Sequence, residues 1–207
     1  MNRFAPIRNY FGLKDSTIKH SLFWLIFTLL IWNCAGTAYQ QMAEENPKAL
    51  LAKKDSLQAA GNTSTAFNKA FAKAHNYVGL EAMKSKNYSF AIQNFKDATA
   101  LVSEDTLSQY NLLLAQGHQR LKKGKKEGLW DAIQKFHKAG RLFPDLGEPH
   151  YYIGNAYLMI GNKDFDLILE SYNKALSLTL SPELNNVVLV AKEKAQHREK
   201  TLKDFWK

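Results

Sequence analysis

One pattern of apolar residues occurs three times between residues 91 and 178. Its copies are Ala91-Ile92-x-x-Phe95-x-x-Ala98-x-x-Leu101, Ala132-Ile133-x-x-Phe136-x-x-Ala139-x-x-Leu142 and Ile168-Leu169-x-x-Tyr172-x-x-Ala175-x-x-Leu178. Spacings of three and four residues put the marked side chains on one face of a helix. Because the pattern recurs at intervals of 41 and 36 residues, it predicts an all-α array of helical repeats, and such arrays present extended binding surfaces.

A second apolar helix is predicted ahead of each copy. Its marked residues are Tyr77-Val78-Gly79, Leu113-Leu114-Ala115 and Tyr152-Ile153-Gly154. A glycine inside a helix costs about 1 kcal/mol relative to alanine, so it should have a packing reason. We therefore expect Gly79 and Gly154 to lie where two helices cross.

The helix pairs resemble the tetratricopeptide repeat, a helix–turn–helix unit of about 34 residues. The best copy is Ile153-Gly154-x-x-Tyr157, Asp164-Phe165 and Tyr172-x-x-Ala175, closed by Pro182; Asn87-Tyr88 forms the turn of the first copy and Pro144 ends the second. The resemblance covers about residues 70–182 and implies a solenoid of about three helix pairs. Extra residues are expected in the Lys122–Gly128 turn and around Gly161-Asn162, and an unrelated antiparallel helix bundle is the alternative.

The two flanks of the repeats have their own signals. Ser181-Pro182 predicts the start of a capping helix, with Leu184, Val187, Val188, Ala191 and Ala195 in one apolar stripe. Residues 64–207 are therefore assigned to one helical domain. Residues 35–63 are expected to be a tether with a short helix that Asn46-Pro47 opens and Gly61–Ser64 ends.

Residues 1–34 are predicted to be a signal peptide or a membrane anchor. The run from Leu22 to Trp32 is apolar except for Thr28, follows a basic stretch, and is short for a membrane span. Ile31-Trp32-Asn33-Cys34 resembles a bacterial lipobox, which implies lipidation at Cys34. An uncleaved single-pass anchor and ordinary cleavage near residues 36–38 remain alternatives. All three place the rest of the chain outside the cytoplasm, facing the periplasm or the cell exterior.

Nothing in the sequence indicates catalysis, and we expect a protein that is not an enzyme. The six histidines form no His-x-x-x-His pair, and the single cysteine excludes an internal disulfide framework, so no metal site or cofactor is predicted. The sequence contains no glycine-rich phosphate loop, so no small-molecule substrate is predicted. Part of the net charge of +9 belongs to the basic N-terminus, and the charge of the remaining chain is modest. Nucleic acid is therefore not an expected partner.

The expected partner is a protein or a peptide, and the membrane is contacted through the N-terminal segment. The tetratricopeptide resemblance implies a concave groove formed by the first helix of each pair. Its expected lining residues are Lys73, Asn76, Leu80, Leu112, Gln116, Gln119, Tyr151, Asn155 and Leu158. The mixture of amides and apolar side chains suits a helix or an extended segment of the partner.

A basic patch lies at the turn between the two predicted helices of the second repeat. It comprises Arg120, Lys122, Lys123, Lys125 and Lys126, either as a solvated loop or as a docking patch for an acidic partner or an anionic surface. Three functions fit these features: a membrane-tethered adaptor or scaffold, a structural subunit of a bacterial envelope assembly such as a pilus, secretion or motility machine, and a tethering accessory to an enzyme. The sequence favours the adaptor.

Overall fold

The computed structural model describes residues 37–161 and 164–206. Residues 37–45 are helical (α1). They are followed by α2 (Pro47–Ala52), α3 (Lys54–Ala59), α4 (Thr65–Lys84), α5 (Tyr88–Leu101), α6 (Thr106–Lys123), α7 (Lys126–Leu142), α8 (Glu148–Ile160), α9 (Phe165–Leu176) and α10 (Pro182–Phe205). The only extended pairing across these described ranges is an isolated bridge between Leu146 and Thr179. The predicted all-α class is confirmed.

Side-chain caps fix where several helices begin. The Asn46 side chain accepts a hydrogen bond from the Ala49 N–H, and Ser64 and Ser181 cap α4 and α10 in the same way. Each cap satisfies a backbone donor that the first helical turn leaves without a partner. The predicted starts at Asn46-Pro47 and Ser181-Pro182 are therefore confirmed.

The helices pack in chain order. The pairs α4–α5, α6–α7 and α8–α9 each share an extensive interface, and successive pairs join through α5–α6 and α7–α8. Helix α4 also touches α6, and α10 packs on α9 at the end of the array. The structure thus confirms a helical-repeat solenoid of three pairs with a terminal helix.

A glycine meets an aromatic ring at the crossing within each pair. A Cβ atom added to Gly79, Gly117 or Gly154 would lie 2.5 Å from a ring carbon of Phe95, Phe136 or Tyr172, respectively. These contacts leave no room for a methyl group, so the rings pack directly on the glycine backbone. The expectation for Gly79 and Gly154 is confirmed, and Gly117 forms the equivalent crossing in the second pair.

The connection between α6 and α7 is shorter than expected. Only Gly124 and Lys125 lie between the two helices. Gly124 ends α6 with a left-handed φ of 63°, a conformation that glycine adopts without strain. The prediction of extra turn residues over Lys122–Gly128 is wrong, because helix α7 already begins at Lys126. The other expected insertion, around Gly161-Asn162, falls partly outside the described residues, which stop at Gly161 and resume at Asp164.

The described residues ahead of α4 pack against that helix. Ala43 and Leu50 are fully buried in a cluster with Phe67 and Phe71, and the rings of Tyr39 and Phe67 meet edge to face at 5.8 Å. The predicted tether therefore contributes, at least over α1 and α2, to the apolar core of the first pair.

Residues 1–34, with Cys34 and the predicted signal or anchor segment, lie outside the described residues. Among the helices that are described, none combines the length and the apolar character needed to cross a membrane.

Candidate functional site

A groove with a volume of about 570 Å³ lies between α8, α9 and α10. We call it the α8–α10 groove. Its lining residues are Tyr151, Asn155, Leu158, Tyr172, Asn186, Val187, Val190, Ala191, Lys194, Ala195 and Arg198. Its volume falls in the range of concave sites that hold ligands.

The α8 wall combines an aromatic side chain with an amide. The Tyr172 hydroxyl donates a hydrogen bond of 2.7 Å to Asn155 Oδ1, and the rings of Tyr151 and Tyr172 lie 6.0 Å apart. Burial raises the pKa of Tyr172 to about 12, so its hydroxyl remains a neutral donor at physiological pH. Because Asn155 Oδ1 accepts this bond, the amide N–H groups of Asn155 remain as its hydrogen-bond donors.

The α10 wall is apolar and open to solvent. Val187 and Val190 are each 48% exposed, whereas Val188 and Ala195 are buried against α9. Helix α10 thus has a second apolar face besides the one that caps the array. Of the predicted apolar stripe, Leu184, Val188, Ala191 and Ala195 belong to the cluster with α9, whereas Val187 is half-exposed on the groove side.

The three residues expected in the third repeat, Tyr151, Asn155 and Leu158, come together in this groove. In the first repeat, Asn76 is nearly buried, and its Oδ1 accepts a hydrogen bond of 2.8 Å from Asn111 Nδ2. That bond joins α4 to α6, so Asn76 is a packing residue with little surface for a partner. Lys73 forms an ion pair with Glu44 of α1.

The remaining expected groove residues do not line the α8–α10 groove. Leu80 and Leu112 are partly buried and pack against the same cluster around Phe95. Gln119 donates a hydrogen bond of 2.9 Å to Ser89 Oγ, and Gln116 is partly buried on α6. Of the expected groove residues, only the three of the third repeat line the α8–α10 groove.

The basic patch sits mainly on helix ends. Arg120, Lys122 and Lys123 belong to the last turn of α6, and Lys126 begins α7. Cations at a helix C-terminus are stabilised by the helix dipole. The Arg120 Nε atom also lies 2.8 Å from Asp131 Oδ2, and Lys122 Nζ lies over the Tyr88 ring. Part of this charge therefore has a local structural role.

Two of the histidines, His75 and His118, are packing residues. His118 stacks on Tyr88 and meets the rings of Phe136 and Tyr152 edge to face. Burial lowers the pKa of His118 to about 4, so it is neutral at pH 7. His75 is buried, and burial lowers its pKa too; its Nδ1 lies 3.0 Å from Asn94 Oδ1. Over residues 37–161 and 164–206, no three His, Cys, Asp or Glu side chains are grouped to hold a metal ion.

Sequence reasoning missed the whole α10 wall of the groove. A signal for it was present in Val187-Val188-Leu189-Val190, because the side chains of four consecutive helical residues project on different sides of the helix. One helix can bury only one face against a single neighbour, so such a run predicts a second apolar contact surface.

Comparisons with known proteins give no match, either among protein-family models or among curated proteins.

Proposed function

We propose that this chain is a tetratricopeptide-type adaptor that is tethered to a membrane and binds a protein partner in the α8–α10 groove. The repeat assignment is supported by the three equivalent crossings, Gly79–Phe95, Gly117–Phe136 and Gly154–Tyr172. The N-terminal apolar run and Cys34 motivate the tether, with lipidation at Cys34 favoured over an uncleaved anchor. In this proposal the helical domain faces the periplasm or the cell exterior, has no catalytic activity, and acts only by holding its partner.

The observation that carries the binding proposal is the exposed apolar wall of α10. Val187 and Val190 stand half-exposed across an open cavity from Tyr151 and Leu158. Covering such a surface removes apolar area from water, which is the main driving force of protein association. Tyrosine is well suited to the centre of a binding site, because it offers a large rigid contact area and a hydrogen-bonding tip.

The test is partner capture by the full chain in its native cell. We expect Tyr151→Ala combined with Val190→Ser to remove the dominant co-purifying protein and to leave helicity unchanged. Truncation of central interface residues often costs about 2 kcal/mol, which corresponds to about a 30-fold loss of affinity.

The control variant changes Lys122, Lys123, Lys125 and Lys126 to glutamine. It removes four exposed cations away from the groove, and we expect it to retain the partner at physiological salt. If this variant loses the partner while the groove variant keeps it, recognition lies in the basic patch. A large stoichiometric complex in place of one dominant partner would favour the structural subunit of an envelope assembly.

A further inference from the structure

The charge in the α8–α10 groove has one sign. Two of its lining residues, Lys194 and Arg198, are cations, and none is acidic. They lie four residues apart on α10, so they share one helix face. Neither belongs to an ion pair with the described residues, whereas Lys203 further along the same helix is paired with Glu199.

The two cations lie on the same face of α10 as the apolar residues of the groove wall. Val187, Val190, Lys194 and Arg198 follow at spacings of three and four along one stripe. The stripe is about 16 Å long, with its apolar half toward the start of α10 and its cationic half beyond. On the facing wall, the amide N–H groups of Asn155 add further donors for a ligand that carries acceptors.

We infer that the partner enters this groove with an amphipathic acidic segment. Aliphatic side chains of the segment cover Val187, Val190 and Leu158, and carboxylates one helical turn apart meet Lys194 and Arg198. The inference rests on the proposed function and specifies its partner. Helix α10, besides capping the array, supplies the charge that selects the ligand.

Charge complementarity also argues against the chain's own N-terminus as the occupant. Residues 1–34 carry Arg3, Arg8, Lys14 and Lys19 against the single carboxylate of Asp15. A basic segment would meet like charges at Lys194 and Arg198, and like-charge contacts disfavour a complex. An acidic partner segment fits the same surface without that cost.

The test compares two labelled amphipathic peptides with the same aliphatic residues and either Glu or Gln at the polar positions. A length of about 16 residues lets a helical peptide span the whole stripe. Binding to the full chain in detergent is measured by fluorescence anisotropy at about 0.15 M salt, where a screening length of about 8 Å leaves contact ion pairs effective. We expect the Glu peptide to bind at least about 10-fold more tightly than the Gln peptide. That preference corresponds to about 1.4 kcal/mol.

Lys194→Gln combined with Arg198→Gln is expected to lower the affinity for the Glu peptide by about 10-fold and so to remove the preference. The matched control is Lys192→Gln combined with Lys200→Gln, which removes the same charge from α10 residues that do not line the groove. We expect this control to keep the preference, because net charge alone does not position a carboxylate.

Equal affinities of the parent chain for the two peptides, or a preference that survives Lys194→Gln/Arg198→Gln, would overturn the inference. If the Gln peptide still binds and is lost on Val190→Ser, the groove remains a protein-binding site and the proposed function stands. If neither peptide binds the parent chain, the inference is also overturned, and partner capture by the Tyr151→Ala/Val190→Ser variant decides the proposed function separately.

Discussion

Gly117→Ala tests the packing of the central helix pair. The added Cβ would lie 2.5 Å from Cε1 and 2.6 Å from Cζ of Phe136. That ring cannot easily swing aside, because His118 and Tyr152 hold it with ring centroids at 5.6 and 5.4 Å. Overpacking a tight core contact costs about 1–3 kcal/mol, and alanine returns about 1 kcal/mol through its higher helix propensity. We expect a net loss of up to about 2 kcal/mol.

The assay is thermal and urea unfolding followed by circular dichroism. A loss of this size lowers Tm by up to about 8 °C for a domain of this length. Gly140→Ala in α7 is the matched control, since its Cβ would lie 3.7 Å from His150 Nε2, an ordinary contact. We expect Gly140→Ala to stabilise the protein by up to about 1 kcal/mol. The reasoning is refuted if both variants raise Tm alike.

Three further predictions follow from the same structure. His118 has a folded pKa of about 4, below its unfolded value, so protonation favours the unfolded state and stability is lost as pH falls below about 6.5. By pH 5 this loss in the free energy of unfolding amounts to about 2 kcal/mol. The His118→Phe variant should not show this loss when its unfolding free energies at pH 7.5 and 5 are compared by urea titration. A chain that starts at residue 64 lacks α1 and α2 and so exposes Phe67 and Phe71. We expect it to melt about 5–10 °C below a chain that starts at residue 37. Equal melting temperatures would contradict the packing of α1 and α2. Cys34→Ser should abolish fatty-acid labelling and leave an uncut precursor, whereas an unlabelled parent chain would favour the single-pass anchor.

The repeat itself could be predicted from the sequence because its signal is local. The spacing of alanines and aromatics sets helix faces, and Asn46, Ser64 and Ser181 mark helix starts through contacts within one turn. Gly117 was missed because no aromatic residue precedes it in the way that Tyr77 and Tyr152 precede Gly79 and Gly154.

The site could be predicted only in part because it depends on contacts between distant segments. Tyr151, Asn155 and Leu158 were found through the repeat register, but their opposite wall comes from α10, which begins only after the whole of α9. Asn76 shows the reverse case. Its position suits a groove residue, yet a hydrogen bond to Asn111 of the next pair takes it into the interior. Sequence spacing does not report such long-range pairings.

The most direct test of the account is photocrosslinking in the native cell. Benzoylphenylalanine placed at Val190 in the groove, and at Phe90, a half-exposed residue of α5 outside the groove, would report which surface the partner touches. We expect one dominant crosslinked protein from position 190 and none from position 90, with the crosslink lost on Tyr151→Ala. Equal crosslinking at both positions, or crosslinks from position 90 alone, would contradict binding in the α8–α10 groove.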